Sequence, residues 1–256
     1  MNDLVIPSTA THLKTFTPAR VGLGRTGVSQ QTRDLLDFQL AHAKARDAVH
    51  ATMNASAVAA DIRDVSQNGV VHLHSAAPDR TTYLQRPDHG RKLDDASRDL
   101  LLTLGQNRSK RWDLVPVITD GLSALAVERH AAKVLKELLP RIADWNLAPT
   151  CIVEQGRVAV GDEIGEILHP QLVVVLIGER PGLSSPDSLG AYITWNPRMG
   201  RTDAERNCIS NIRAEGLTCE EAAAQLGWYL AEARRRQLTG VALTSGSRQL
   251  AGDDRA

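Results

Sequence analysis

The sequence predicts an α/β fold in which a mainly helical N-terminal part precedes an α/β unit with a mostly parallel sheet. After Trp112, short apolar runs of strand length recur at Val115 to Thr119, Cys151 to Val153, Leu172 to Ile177 and Tyr192 to Trp195. Their near-continuous Val, Leu and Ile is the pattern of strands buried on both faces, as parallel strands are. Before Trp112 the period is helical: Leu36, Leu40 and Ala43 fall at i, i+4 and i+7, which predicts a long helix between Ser29 and His50.

Taken in order, residues 1–20 show no clear period and residues 241–256 are small, polar and charged, so both ends are expected to be poorly ordered. Residues 21–110 form the helical region. Within it Gly22 to Gly27 reads as a turn before the long helix, Arg80 to Arg91 as a charged loop with Pro87 and Gly90, and Asp94 as the start of a helix carrying Leu100, Leu101 and Leu104. Residues 111–240 form the α/β domain. There Val115 to Thr119 runs through Asp120-Gly121 into a helix striped by Ala124, Val127, Ala131, Val134, Leu135 and Leu138. Thr218-Cys219-Glu220-Glu221 has the spacing of a capping box, opening a helix through Leu226, Leu230 and Ala233. That helix ends in Arg234 to Arg236, where cations suit the macrodipole.

Composition excludes several classes. Thirty basic residues balance thirty acidic ones, so no net charge advertises nucleic acid or an anionic membrane. Only Cys151, Cys208 and Cys219 occur, far apart, which argues against a disulfide framework or a zinc knuckle and for a reducing cytosol. The longest apolar run, Leu172 to Ile177, is far short of the ~20 residues of a membrane span, and no secretory signal is expected at the N-terminus.

Four motifs invite chemistry and resist it. Gly22-Leu23-Gly24-Arg25-Thr26-Gly27 matches GxGxxG but lacks a preceding strand and an acidic residue closing a second one, so nicotinamide or flavin binding is rejected. Asp120-Gly121-Leu122-Ser123 lacks the second glycine of a nucleophile elbow; Asp120 is read as a helix N-cap, with a ligand crevice at the strand's carboxyl end as the alternative. His72 and His74 would share one face if Val71 to His74 forms a strand, but they have no third ligand nearby. Asp47 and His50 at i and i+3 are read as a surface pair.

Two segments are more informative. Gly178-Glu179-Arg180-Pro181-Gly182 follows the most apolar strand, so Glu179 and Arg180 sit in a proline-stiffened loop at its carboxyl end, with an internal Glu-Arg pair as the plain alternative. Arg206-Asn207-Cys208-Ile209-Ser210-Asn211-Ile212-Arg213 groups amides, a thiol and two guanidinium groups, suited to binding many polar edges; a buried structural cysteine is its competitor.

These segments, with Asp37 to His50, Tyr83 to Leu93, Asp120 to Ala126, Gly161 to Gly165 and Ser184 to Tyr192, follow one order from about Val21 to Gln237. In that order the chain resembles the small subunits of adenosylcobalamin-dependent ethanolamine ammonia-lyase. The resemblance implies a helical N-terminal part and a Rossmann-like domain, paired with a large barrel subunit that holds the substrate site. It implies conversion of ethanolamine to acetaldehyde and ammonia through homolysis of the cofactor's cobalt-carbon bond, in the cytoplasm and inside a bacterial microcompartment. This chain would be inactive alone. Adenosylcobalamin would lie between the subunits, and the family positions that touch it correspond to Val158, Glu179 and Cys208. No histidine has Asp two residues before and Gly three after, so base-on binding is expected. A corrin edged with amides asks for apolar contact and scattered acceptors, which Val158 and Glu179 supply, while Cys208 is small enough for close approach. Two rivals remain: a standalone enzyme using Cys208 or Ser123 with a histidine, and a structural subunit that does not contact cofactor.

Overall fold

The computed structural model describes residues 13, 16, 17, 19–66, 68–106 and 111–243. The expected poorly ordered stretches at residues 1–20 and 241–256 lie largely outside the described residues. The glycine cluster forms a small antiparallel hairpin, β1 (Arg25–Thr26) with β2 (Ser29–Gln30), whose turn places Gly27 at φ +64°. It leads into α1 (Thr32–His50), followed by α2 (Ala55–Ile62), β3 (Val70–His74), α3 (Arg80–Gln85) and α4 (Asp95–Gln106). The α/β part adds β4 (Leu114–Thr119), α5 (Ala124–Leu138), β5 (Thr150–Glu154), α6 (Val160–Leu168) and β6 (Leu172–Gly178). It closes with β7 (Leu189–Trp195), β8 (Arg206–Ile212) and α7 (Cys219–Arg236).

Among the described residues one six-stranded sheet has the order β3-β5-β4-β6-β7-β8. The first four strands are parallel, and β7 and β8 extend them antiparallel. Strand β3 comes from the part expected to be mainly helical. Its short Val-Val-His-Leu-His run offers little apolar length of its own, and it acquires strand structure by pairing with β5.

The period of two along each strand divides the core. Leu114, Ile118, Leu172, Val174 and Leu176 face α2, α5 and α7, in a cluster with Ile62, Val134, Leu138, Leu226 and Leu230. Val115, Val117, Val173, Val175 and Ile177 face the other way, against Leu101 of α4 and Ile164 and Leu168 of α6. Every residue of β4 and β6 is therefore buried, as their unbroken apolar runs predict.

Capping follows the sequence in one helix and departs from it in another. Thr218 closes a capping box with Glu221 at the start of α7. Asp120 does not cap α5: Ser123 does, accepting from the Ala126 amide, and its hydroxyl donates to the Pro186 carbonyl at 2.8 Å. The stripe of α1 is also corrected. Leu36 and Leu40 are 58% and 57% exposed, and the buried residues of α1 are Ala45 and Ala48, because only its C-terminal half reaches the body.

The segment from Arg206 to Arg213, read as suited to binding polar edges, is mostly a strand with an internal clamp. Arg206 makes a bidentate pair with Asp162 at 2.6 Å and also donates to Thr194, fixing the β8 edge to α6. Both side chains are 3% exposed or less. Removing one partner leaves a buried charge, so Asp162→Ala should cost about 3–5 kcal/mol of stability, whereas Leu40→Ala should stay within about 0.5 kcal/mol. Urea unfolding of the two variants checks the contrast, and equal midpoints would refute it.

Candidate functional site

A crevice opens where the carboxyl ends of the parallel strands part. The helix after β4 packs on one sheet face and the helix after β5 on the other, so the loops diverge there, the usual ligand position in open α/β sheets. Gly121 and Leu122 from the end of β4, Arg157 and Val158 from that of β5, and Ile177 to Arg180 from that of β6 line a cavity of about 430 Å³. Tyr83 and Tyr192 complete it.

Its floor depends on two glycines. Gly121 has φ +55°, and the Leu122 amide donates to the Gly178 carbonyl at 2.9 Å. A Cβ on Gly178 would lie 2.0 Å from the Ser123 carbonyl oxygen and 2.5 Å from that of Asp120. Side chains at either position would push the two loops apart and lift the floor.

Val158 and Glu179 both line the cavity. Cys208 does not line it but sits opposite Tyr192 in the β7–β8 register, with an exposed side chain 3.3 Å from the Ser210 hydroxyl. Desolvation raises the Cys208 thiol, so it stays protonated, a poor nucleophile. Glu179 makes no pair with Arg180; its Oε2 accepts from the Ser188 hydroxyl at 2.5 Å and from the Asn211 amide at 3.1 Å. Its Oε1 lies against Gly190, where a Cβ would stand 3.0 Å away, so the glycine makes room for the carboxylate. Ser123 is committed to its cap and to Pro186, which removes it as a nucleophile.

Arg206 and Arg213 were offered as ligand-binding groups and are internal instead. Arg213 donates to Asn211, to the Ser184 carbonyl and to Glu215. In the partners' absence from the linear pattern, a buried ion pair and a surface guanidinium look alike.

Tyr83, Arg157 and Arg80 were missed. Arg157 donates from its backbone to Gly90 at 2.7 Å and from its guanidinium to the Tyr83 carbonyl at 3.1 Å, and stacks over the Tyr83 ring at 4.5 Å. Burial pushes the Tyr83 phenol up to about 12. Beneath them Arg80 donates to the carbonyls of Val49 and Gly121 and to Asp120 and Gln155. Burial pushes the Asp120 carboxyl up to about 6 against the pull of Arg80. The only available signal was indirect: Tyr83 lies in the ordered segment Tyr83 to Leu93, and Arg157 immediately precedes Val158.

Among the described residues no three His, Cys, Asp or Glu side chains are placed to hold a metal ion, and His72 and His74 remain a strand pair. No described helix is long and apolar enough to cross a membrane.

Fold and crevice define a class: an α/β protein with a crevice of mixed apolar and polar lining at the carboxyl ends of its parallel strands. The chain matches the ethanolamine ammonia-lyase light chain family over residues 7–244, and it belongs to that family. It is 55% identical over 233 residues to the ethanolamine ammonia-lyase small subunit of Pseudomonas fluorescens (strain Pf0-1), covering 90% of this chain and 85% of that one. The small subunits of Pseudomonas aeruginosa (strain UCBPP-PA14) and Xanthomonas campestris pv. campestris (strain B100) are each 53% identical, over 95% of this chain and 91% and 90% of theirs.

If the crevice floor rests on close backbone approach, Gly178→Ala should destabilise the chain by about 1–3 kcal/mol, the usual cost of overpacking. A thermal melt that matches the parent's would show that the loops part without penalty.

Proposed function

We propose that this chain is the small subunit of an ethanolamine ammonia-lyase and forms one wall of an adenosylcobalamin site shared with a large catalytic subunit. The observation that carries the reading is the coincidence of the family match with a crevice in which Val158 and Glu179 face one cavity and Cys208 flanks it. The residues fit the group. A corrin is an apolar disc edged with primary amides, and the cavity offers Val158, Leu122 and Ile177 for contact and the carboxylate of Glu179 as an acceptor in the same lining.

When bound, the cofactor supplies radical chemistry through homolysis of its cobalt-carbon bond. This chain's residues bind and orient. Glu179 is held through Oε2 by Ser188 and Asn211, so the carboxylate is already positioned and would accept from an amide at little entropic cost. Cys208, a small neutral thiol, permits close approach at the β8 edge. No histidine of the chain lies in the DxHxxG pattern that displaces the cofactor's own base, and none lines this cavity, so no imidazole of this chain would take the place of that base. The chain conducts no step of the conversion of ethanolamine to acetaldehyde and ammonia by itself. The same reading puts the complex in the cytoplasm, packaged in a microcompartment.

Two outcomes are expected. Purified alone, the chain should release no acetaldehyde from ethanolamine with cofactor present, and activity should appear on adding the large subunit; turnover by the lone chain would overturn the division of labour. In the assembled complex Glu179→Ala should remove roughly 1–3 kcal/mol of cofactor binding, a fall in affinity of about 5- to 150-fold. Turnover at saturating cofactor should stay within several-fold of the parent, because the contact exists in ground and transition states alike. A cofactor titration of the complex decides, and an unchanged affinity would leave Glu179 as a bracket for the Ser188 and Asn211 loops only.

A further inference from the structure

The loop between β6 and β7, residues 179–188, is held down along the start of α5 by side chains. The Ser123 hydroxyl donates to the Pro186 carbonyl at 2.8 Å, Arg129 pairs with Asp187 at 2.7 Å, and Arg213 reaches the Ser184 carbonyl at 3.2 Å. The same loop supports the crevice: the Glu179 amide donates to the Ser188 carbonyl, and the Ser188 hydroxyl donates to the Glu179 carboxylate. Whatever moves Asp187 and Ser188 therefore moves a support of Glu179.

Under this loop lies a buried imidazole with an idle nitrogen. His130 of α5 is 7% exposed, and its Nε2 has no hydrogen-bond partner among the described residues. The Asp187 carboxylate stands 3.6 Å from it, outside bonding distance, and is already engaged by Arg129. Buried polar atoms are nearly always bonded, so an orphaned one calls for a reason.

The surroundings favour the neutral ring. Asp187 from the loop attracts a positive charge at His130, while Lys133 and Arg129 from its own helix repel one. The sheet face under α5 contributes apolar Leu176, Leu189 and Ala191. α7 brings Cys219 toward Lys133 and Glu137, and the residue before α2, Asn54, donates its amide to Glu128. Burial holds the His130 imidazole below the ordinary histidine range, against the pull of Asp187.

We propose that His130 is a proton-operated latch on the loop between β6 and β7: neutral, it stays buried with the loop down on α5, and protonated, it is more stable in water, so the loop lifts at Asp187 and Ser188 and the hold on Glu179 is released. The latch does not depend on the cofactor reading. Where Glu179 is a cofactor contact, acid loosens that contact. The direction follows from proton linkage. The loop-down state binds the proton less readily than the lifted state, in which a hydrated ring titrates near ~6.5, so protons favour lifting as pH falls through that value. At about pH 5.5 roughly nine-tenths of hydrated rings are charged, which raises the opening constant by at most about tenfold over its value at about pH 7.5.

The test is hydrogen exchange, read by mass spectrometry, of the complex with the large subunit at about pH 5.5 and about pH 7.5, with the intrinsic pH dependence of amide exchange divided out. Peptides spanning residues 182–190 should lose protection by about three- to tenfold at the lower pH, while peptides of β4 and α6 keep theirs. In His130→Gln, whose side chain cannot take the charge, protection of residues 182–190 should be the same at both pH values. His130→Met is a second neutral variant if the first disturbs packing.

Protection of the parent loop that does not change with pH would overturn the latch. So would an acid loss that persists in both variants, which would give the effect to another titrating group, or one shared equally by β4 and α6, which would be general unfolding. Release of adenosylcobalamin from the parent complex should quicken at the lower pH and not in His130→Gln. A loop that lifts without quickening release would leave the latch standing and count against Glu179 as a cofactor contact.

Discussion

A single buried guanidinium holds together the parts of this protein that meet at the crevice. Arg80 is 8% exposed, and its donors reach the Val49 carbonyl at the end of α1, the Gly121 carbonyl after β4, the Asp120 carboxylate and the Gln155 amide after β5. A charge taken out of water this completely is costly unless it is paired, and Nε and Nη1 find their acceptors on three separate stretches of chain, while Nη2 is buried without a partner. Each loop is consequently constrained by the acceptor it gives to Arg80. Gln155 is held at φ +57°, an uncommon backbone for a residue with a side chain, and its amide oxygen is one of those acceptors.

From that anchor follow the crevice and, against α1, a second cavity whose wall includes His42, Arg46, His50, Arg157 and Arg180. The loop after β4 is pressed against β6 because Gly121 and Gly178 have no Cβ to keep them apart, and the helical N-terminal part is drawn over the carboxyl edge of the sheet because Val49 is tied to Arg80. Tyr83, stacked between Arg80 at 4.8 Å and Arg157 at 4.5 Å, transmits the same anchoring to the loop that carries Val158. The site is therefore rigid on the side facing the sheet and open on the other.

The first half of α1 has no comparable anchor. Leu35, Leu36, Phe38 and Leu40 are all exposed, and only Ala45 and Ala48 are buried, so the stripe that announces a helix does not mark the face that packs. Periodicity records that a helix forms; it does not record which body covers it. The same limit applies to Arg206, which reads as a ligand-binding group beside Cys208 and Asn211 and is in fact clamped to Asp162, forty-four residues away along the chain.

What the sequence by itself determined is the architecture with its helix and strand types. The unbroken apolar runs of β4 and β6 required burial on both faces, the capping box at Thr218 required a helix start, and the ordered segments from Gly22 to Arg213 marked the family. Val158 and Glu179 were reachable through that family order. Tertiary structure alone decided the rest: that β3 joins the sheet, that Glu179 leans on Ser188 and Asn211, and that five basic groups line one cavity. The physical reason is range. Strand burial and capping are settled among residues two to four apart, whereas charge pairing and cavity walls are settled by groups tens of residues apart, which only the folded chain brings within a few ångströms.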